Sequence, residues 1–273
     1  MKRMLPSLLL HLLLVAAALL TMTPLLWMLS ASFMPAGDAN TLPPPFFPRR
    51  FTTEHYTELF TRLELARNFR NSVIISISAT LIALFTNSLA GYAFAKLRFP
   101  GRERLFKLLL AGLVIPAQVG MLPLFLLLQQ MGLVNTMIGA IVPGMASIFG
   151  IFMVRQYAAS IPDELLDAAR VDGASEFRIF RSIVVPVIRP ILVTLGAFTF
   201  LTMWNDFMWP LIILSDDQKY TLPVALANLV GEHVQDTELM MAGSVLTILP
   251  VMLVFILLQR SYIRGIMAGS VKG

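Results

Sequence analysis

The 273 residues include no cysteine, and Asp, Glu, Lys and Arg together make up only 14% of them. The absence of cysteine excludes disulfides, thiol catalysis and thiolate metal sites. A soluble domain carries about 25% charged residues. The shortage of charge, with 57% hydrophobic residues, therefore predicts an integral membrane protein. The net charge of +5 is then better explained by basic loops beside a membrane than by a nucleic-acid partner.

Signatures of enzymes are also missing from the sequence. The three histidines, His11, His55 and His233, are far apart, and none has the i, i+4 partner of a zinc-binding helix. The chain has neither the G-x-S-x-G nucleophile turn nor the G-x-x-x-x-G-K-[ST] phosphate loop. We therefore predict no catalytic residue, cofactor or metal site, and we expect any ATP hydrolysis to be performed by another subunit.

Six long apolar segments predict an all-α protein with six transmembrane helices, each crossing about 30 Å of hydrocarbon. The segments are Ser7–Ser30, Val73–Ala95, Leu108–Leu128, Met137–Val154, Ile191–Leu214 and Met240–Leu258. The first follows Lys2 and Arg3 and could be a signal peptide, but it exceeds the roughly 7–15 apolar residues of such peptides. We prefer a membrane span. In the fourth segment, Pro143 and Gly144 predict a bend.

The lysines and arginines orient these spans. Most of the 21 lie before the first span, after the second, between the fourth and fifth, and after the sixth. Basic loops stay in the cytoplasm, so both termini are predicted to be cytoplasmic. Arg67 and Arg70 are exceptions, because they precede the second span closely on the other side. The predicted location is the cell inner membrane, as a multi-pass protein with one transmembrane domain over residues 1–273.

The most polar stretch between two spans runs from Ser160 to Pro190. Ser160 is a candidate N-cap, and Asp163 and Glu164 fall in a first helical turn, where the helix dipole favours acids. Gly173 can close this helix in a left-handed conformation, and a second helix can begin near Ser175.

Helical spacing gives the first of these helices two faces. It places Asp163, Asp167 and Arg170 on one face, and Ile161, Leu165 and Ala169 on another. From these residues alone, an amphipathic loop lying on the membrane surface is as good an interpretation as a docking element.

The run Asp167-Ala168-Ala169-Arg170-Val171-Asp172-Gly173-Ala174 resembles the EAA loop of ABC-importer permeases, E-A-A-x-x-D-G-A, with Asp167 where that family usually has Glu. The resemblance covers nearly the whole chain and is strongest to maltose-type sugar permeases. It implies the MetI-like permease fold and a cytoplasmic coupling loop over residues 157–189. The residues expected to contact the ATPase are Asp163, Glu164, Asp167, Ala168, Ala169, Asp172, Gly173 and Ala174.

The same resemblance implies the partners. These are a second, different permease subunit, a cytoplasmic ATPase dimer, and an extracytoplasmic solute-binding protein that delivers a sugar or oligosaccharide. The loop around Tyr220-Thr221-Leu222-Pro223 resembles the part that faces the binding protein. The C-terminal residues Gly269, Ser270 and Lys272 lie in a small-residue tail that resembles one reaching the ATPase in that family. From composition alone this tail would be a frayed end.

Polar residues within the spans are candidates for the substrate path. They are Asn87, Gln118, Trp204, Asn205 and Asp206. Asp206 is the one charged residue in the six spans, which makes it a functional candidate by default. It would lie about 22 Å along a helix that begins at Ile191. That depth is near the outer interface, so a simple anchoring role remains open beside a role at the lip of the path.

Four other functions are alternatives to a sugar permease. A glycerol-3-phosphate permease is an alternative within the same family. An ATP-independent secondary carrier would need charge pairs or proton relays at membrane depth, and only Asp206 is charged there. An intramembrane enzyme would need a nucleophile and a base, which the histidine positions do not supply. A membrane anchor would not account for the polar helix–glycine–helix segment.

Overall fold

The structure is a computed structural model that describes the backbone of residues 4–61, 64–232 and 236–270, and the side chains of residues 10–61, 64–229 and 236–259. All regular secondary structure in the described part is helical, with no strand. It divides into two compact units, one within residues 1–66 and 225–250 and the other within 67–224 and 251–273.

Thirteen α-helices are present in the described part of the chain. They are α1 (Met4–Ala31), α2 (Glu54–Thr61), α3 (Leu65–Lys96), α4 (Arg102–Ala111), α5 (Ala117–Gln130), α6 (Met137–Ile141), α7 (Ile148–Ala159), α8 (Asp163–Val171), α9 (Glu176–Ile179), α10 (Val185–Trp204), α11 (Met208–Ile213), α12 (Leu222–Glu232) and α13 (Thr237–Ser270). A π-helical turn, Phe180–Val184, joins α9 to α10 without interruption.

Four helical stretches are long and apolar enough to cross a membrane. They are Leu10–Ala31, Leu65–Lys96, Glu176–Trp204 and Thr237–Gln259. Two bent pairs would raise the number to six: Arg102–Val114 with Ala117–Gln130, and Met137–Gly144 with Ile148–Ala159. By length and composition the described chain therefore offers four to six spans.

The third predicted span is wrong as a single helix. The chain turns by 106° between Val114 and Ala117. Ile115 is extended, as the residue before a proline prefers to be, and Pro116 itself cannot donate to a helical carbonyl. The predicted bend in the fourth span is confirmed, because the helix axis changes by 45° after the turn Val142–Gly144.

The fifth predicted span, Ile191–Leu214, is displaced. The helix begins at Glu176 and ends at Trp204, and α11 follows separately. Pro186 and Pro190 do not interrupt it. A π-helical turn stands just before Pro186, and in it the N–H of Val185 bonds to the carbonyl of Phe180. This wider turn accommodates the proline, which has no N–H to donate. Asp206 consequently lies beyond the end of α10 and not within the helix.

The unit formed by residues 1–66 and 225–250 packs around Ala31, Met34 and Ala39, with Trp27 and Met241 against them. Buried polar contacts tie its segments together. The carboxylate of Glu238 accepts the N–H of Ala39 at 2.7 Å. These contacts give this unit a core of its own.

The other unit has two apolar clusters. One joins α3, α7, α8 and α10, and its fully buried members include Val154, Leu166, Val184 and Ile188. The second cluster joins α3, α5, α6 and α11 through Ile75, Leu128, Ile141 and Ile213. The first cluster matters most for function, because it contains a residue of the predicted coupling helix.

Candidate functional site

Helix α8 begins after a proline and ends at a glycine. Pro162 precedes it in an extended conformation, so Pro162 is the N-cap and the prediction of Ser160 was wrong. Ser160 instead follows the end of α7, and its hydroxyl donates to the carbonyl of Tyr157. The local sequence therefore predicted the start of the helix to within three residues but misidentified the capping residue.

The end of α8 is a Schellman motif, in which a left-handed residue closes the helix. Gly173 has φ +79°, the region that glycine occupies without strain. The N–H of Ala174 bonds to the carbonyl of Ala169 at 2.9 Å, and that of Gly173 to the carbonyl of Arg170 at 3.0 Å. The predicted left-handed role of Gly173 is confirmed.

The predicted start of the second helix is also confirmed. The hydroxyl of Ser175 accepts the N–H of Arg178 at 3.4 Å and caps α9. The helix–glycine–helix pattern read from Ser160 to Pro190 is therefore present, but its second helix continues into the membrane-length helix that ends at Trp204.

The predicted apolar face of α8 is confirmed for Ile161 and Ala169, which lie in or against the buried cluster, and is wrong for Leu165. Leu166 is the buried residue at 1% exposure, whereas Leu165 is 47% exposed. Ile161 precedes the helix, so its spacing to Leu165 does not follow the helical period. Leu166 inserts into the cluster with Ile179 and Val184. The outward surface carries Glu164, Leu165, Ala168 and Val171, the last 87% exposed.

A buried lysine holds the start of α8. The ammonium of Lys96 at the end of α3 donates to the carbonyl of Ile161 at 2.5 Å and to the Asp163 carboxylate at 2.6 Å. A third bond, to the carbonyl of Ala159, measures 3.3 Å. The hydrogen bond and charge of Lys96 lower the pKa of Asp163 below its ordinary value. Lys96 thus fixes the turn between α7 and α8 to α3.

An arginine network holds the other end of α8. The guanidinium of Arg170 bonds to Glu176 at 2.7 Å and to Asp167 at 2.6 Å. The hydrogen bond to Glu176, and to a lesser extent the one to Asp167, raises the pKa of Arg170 above its usual value. The hydroxyl of Tyr92 on α3 donates to the same Glu176 carboxylate at 2.7 Å. Helix α8 is therefore bonded to α9 and, through Glu176, to α3.

The structure brings most of the predicted coupling residues to one exposed surface. Asp163, Glu164, Asp167, Ala168, Asp172 and Gly173 are exposed, and Ala169 and Ala174 are half-buried. Sequence reasoning missed Tyr92, Lys96 and Glu176, which position them. A signal existed for two of these, because Tyr92 and Lys96 are polar, lie four residues apart on one helix face, and end an apolar run.

The predicted path residues lie in different environments. Asn87 is fully buried, and its carbonyl oxygen accepts the N–H of Ser147 at 3.0 Å, which holds the break before α7. Gln118 is exposed in the first turn of α5. Trp204 is buried and packs against Phe200, with ring centroids 5.8 Å apart.

The two path residues after α10 cap local structure. The Asn205 amide donates to the carbonyl of Leu201 at 2.9 Å, within its own helix end. The Asp206 carboxylate accepts the N–H of Trp209 at 3.4 Å, at the start of α11. Asp206 is half-buried and belongs to the turn between the two helices.

The loop around Tyr220 is held against the first turns of α3. The amide of Asn68 donates to the carbonyls of Asp217 and Tyr220, at 3.3 and 3.1 Å. The amide of Asn71 donates to the carbonyls of Gln218 and Tyr220, at 2.9 and 3.1 Å. The hydroxyl of Ser72 accepts the N–H of Leu222 at 2.7 Å. Neutral polar side chains of α3 therefore shape residues 217–222.

The predicted tail is only partly described. The backbone of α13 is helical through Ser270, so residues from Arg264 to Ser270 are not an irregular tail as expected. Gly269 and Ser270 belong to this helix, and Lys272 lies outside the described residues.

Comparison with known proteins identifies the family. Residues 87–267 match the family described as binding-protein-dependent transport system inner membrane component. That segment is more than half of the chain and includes α8 and its supports. The chain belongs to this family. It is therefore a multi-pass inner-membrane permease component and not an enzyme, and ATP hydrolysis belongs to a separate subunit.

Two relatives match this permease over nearly its whole length. The arabinooligosaccharides transport system permease protein AraQ of Halalkalibacterium halodurans is 39% identical over 94% of this chain and 93% of its own. The lactose transport system permease protein LacG of Rhizobium radiobacter is 35% identical over 100% of this chain and 98% of its own.

A solved structure confirms the MetI-like permease fold. It is a crystal structure of a bacterial ABC transporter involved in the import of the acidic polysaccharide alginate. Its matching chain superposes with a TM-score of 0.82 at 24% identity, covering 95% of this permease and 97% of that chain. The all-helical fold of this permease is therefore that of an ABC-importer membrane subunit.

Proposed function

We propose that this permease is one of two different transmembrane subunits of an ATP-driven importer of a sugar or oligosaccharide. The observation that carries the mechanism is helix α8. It is closed at its end by Gly173, fixed to α3 at its start by Lys96, and anchored in the core by Leu166. It nevertheless exposes Leu165 and Val171. An anchored helix with a partly apolar outer surface can transmit force from a partner.

The proposed cycle is alternating access. Closure of a cytoplasmic ATPase dimer moves α8, and the bonds to α3 and α9 make the attached membrane helices move with it as a rigid body. Residues 157–189 form the coupling loop, with contact residues Asp163, Glu164, Asp167, Ala168, Ala169, Asp172, Gly173 and Ala174. Gly269, Ser270 and Lys272 form a second ATPase contact.

The proposed topology has six spans, counting each bent helix pair as one, and both termini in the cytoplasm. The distribution of Lys and Arg supports it. Residues 1–273 then form one permease domain. An external solute-binding protein docks on the opposite side and contacts the loop held by Asn68 and Asn71. Asn87, Gln118, Trp204, Asn205 and Asp206 are proposed to border the substrate path.

The cargo assignment rests on the relatives. Two permeases that match over more than nine-tenths of this chain are named for transport of arabinooligosaccharides and of lactose. We therefore expect the partner binding protein to bind an oligosaccharide. Calorimetry with arabinose oligomers, lactose and glycerol 3-phosphate would test this. Binding of glycerol 3-phosphate alone would assign the permease to phosphate-ester import instead.

The coupling role is tested by Gly173→Asp in the reconstituted importer. Aspartate tolerates the left-handed backbone better than most residues, and a Cβ at position 173 meets nothing within 4 Å. The variant should therefore insert normally into the membrane but lose ATP-driven uptake, because it adds bulk and a second carboxylate beside Asp172. Gly173→Asn separates the two effects, since it adds similar bulk without charge.

Gly132→Asp is the matched control for this test. Gly132 also has positive φ, +70°, and open space at its Cβ, but lies in the turn after α5. We expect normal uptake from this control. Normal uptake by Gly173→Asp at normal membrane expression would refute the coupling role.

A further inference from the structure

A cavity of about 750 Å³ lies where α3 ends and α4 begins. Its volume is within the range of small-molecule sites. The charged side chains that line it are Lys96, Arg98, Arg102, Arg104, Glu103 and Asp163. Four cations and two carboxylates leave a formal charge of +2, so the cavity suits an anion.

Each of the two carboxylates already pairs with a cation other than Arg98 and Arg104. Asp163 pairs with Lys96 at 2.6 Å, and Glu103 accepts Arg155 at 3.1 Å and lies 3.3 Å from Arg102. The Arg102 guanidinium also donates to the carbonyl of Leu97 at 3.0 Å. The lining acids therefore do not compensate the remaining positive charge.

That remaining charge belongs to Arg98 and Arg104. Both are exposed, and within the described residues neither side chain makes a hydrogen bond or an ion pair. Arg98 acts on Asp163 only as one of the lesser charges that lower its pKa. A guanidinium presents a planar fork of N–H donors that matches the oxygens of a phosphate. Two such groups at one cavity have the charge and the donors to bind a phosphoryl anion.

Exposed apolar residues follow the lining residues along α4. On α4, Leu105 is 51% exposed and Leu108, one turn further along, is 72% exposed. Phe99, which lines the cavity itself, is 36% exposed. Cationic side chains beside exposed leucines at the end of a membrane-length helix are typical of a lipid interface. A free phosphate ion would leave the leucines exposed, whereas the acyl chains of a phospholipid would cover them.

We propose that this cavity binds the headgroup of an anionic phospholipid. Arg98 and Arg104 hold the phosphodiester oxygens, and the acyl chains lie along Leu105 and Leu108. The cavity shares Asp163 with the proposed ATPase contact, and it involves none of the proposed contacts with the binding protein or the substrate path. Because an anionic lipid can be supplied to both leaflets, the proposal is independent of the membrane orientation of the chain and of its transport activity.

The test uses the full-length chain purified from membranes and placed in nanodiscs of phosphatidylglycerol and phosphatidylcholine at varied ratios. Native mass spectrometry then counts the phosphatidylglycerol retained per chain after transfer to detergent. Each arginine near an anionic headgroup strengthens binding about fivefold. The double variant Arg98→Gln/Arg104→Gln should therefore bind phosphatidylglycerol roughly 30-fold more weakly. Leu108→Gln should cause a smaller loss.

The control is Arg49→Gln/Arg50→Gln, which removes the same charge from two other exposed arginines. Its phosphatidylglycerol retention should equal that of the unchanged chain. Equal retention by Arg98→Gln/Arg104→Gln, or an equal loss in the control, would overturn the proposal. A parallel loss of phosphatidylcholine would also overturn it, since the site is proposed to recognise the anionic headgroup. Retention of inorganic phosphate by the chain, with no retention of phosphatidylglycerol, would overturn it as well.

Discussion

The two ends of α3 hold neighbouring segments by different chemistry. At its start, neutral amides of Asn68 and Asn71 bind backbone carbonyls of residues 217–220. At its end, the charged Lys96 binds the turn before α8, and Tyr92 bonds to the acid of α9. One helix therefore supports both the loop proposed to face the binding protein and the helix proposed to face the ATPase.

The difference lies in what each contact depends on. The amides of Asn68 and Asn71 carry no charge, and both residues are at least 94% buried, so salt and pH should leave their bonds intact. The partners of α8 include exposed carboxylates, with the side chains of Asp163 and Asp167 71% and 67% exposed. Exposed ion pairs are weak and screened by salt. The contact at the start of α3 should thus be insensitive to salt, whereas the ion pairs at its end should weaken as salt rises.

The largest expected effect comes from removing the amides. Asn68→Leu/Asn71→Leu deletes four part-buried hydrogen bonds and leaves the backbone carbonyls without these donors, at a local cost of about 2–4 kcal/mol. Hydrogen exchange at residues 217–222 should accelerate roughly 30- to 700-fold. Trypsin should cleave at Lys219, and affinity for the binding protein should fall.

Asn205→Leu serves as the comparison for the amide variant. Asn205 is exposed, and among the described residues its side chain bonds only to a carbonyl of its own helix, so its loss should leave exchange in residues 217–222 unchanged. Unaltered exchange in the double variant would show that the loop is held by packing and not by these amides.

The second prediction concerns Lys96→Met at the other end of α3. Methionine keeps the apolar stem but leaves the carbonyl of Ile161 without its donor, at about 1–3 kcal/mol. The start of α8 should loosen, and ATP-driven uptake should fall about tenfold while substrate-independent ATP hydrolysis persists. Measuring both rates in the same proteoliposomes tests this uncoupling.

Lys107→Met is the control, since Lys107 is an exposed lysine on α4. We expect unchanged uptake from it. If Lys96→Met kept normal coupling, the position of α8 would have to be determined by Leu166 in the core alone.

Much of α8 could be predicted from local sequence, because its determinants are local. A glycine after the last turn and a serine before the next one specify their conformations within a few residues, and both Gly173 and Ser175 behave as expected. The membrane-length helices follow similarly from apolar runs. What was wrong was the placement of Leu165 on the buried face, because the helix starts after Ile161 and the period could not be extended through Pro162.

The supports of α8 could not be predicted, because they come from distant positions. Lys96 and Asp163 are 67 residues apart, and Tyr92 and Glu176 are 84 apart. No local pattern pairs them until the helices pack. The sharp turn at Pro116 shows the same limit. A proline predicts that a helix is interrupted, but the 106° angle depends on what the two halves pack against.

A moderate effect is expected from Ser175→Ala, which removes the cap of α9. An N-cap serine contributes about 1 kcal/mol. The change should weaken the bonds of Glu176 to Arg170 and Tyr92, because the first turn of α9 frays. Thermal unfolding should shift by a few degrees, and exchange at Arg178 should rise about fivefold. Ser175→Asp should restore both, whereas failure of this rescue would argue against capping.

The smallest effect is electrostatic and distinguishes two carboxylates directly. The pKa of Asp163 is lowered mainly by the charged Lys96, and the pKa of Asp216 is lowered mainly by the neutral N–H of Gln218. Because both pKa values are depressed, each carboxylate stabilises the fold above the unfolded pKa of about 3.9 and loses that contribution as pH falls through its lowered value.

Raising NaCl from about 0.1 to 1 M shortens the screening length from about 10 to 3 Å. The pKa of Asp163 should then return toward its ordinary value, and that of Asp216 should change less. Titration of ¹³C-labelled carboxyls at both salt concentrations measures this, and equal shifts would contradict the distinction between an ionic and a neutral contact.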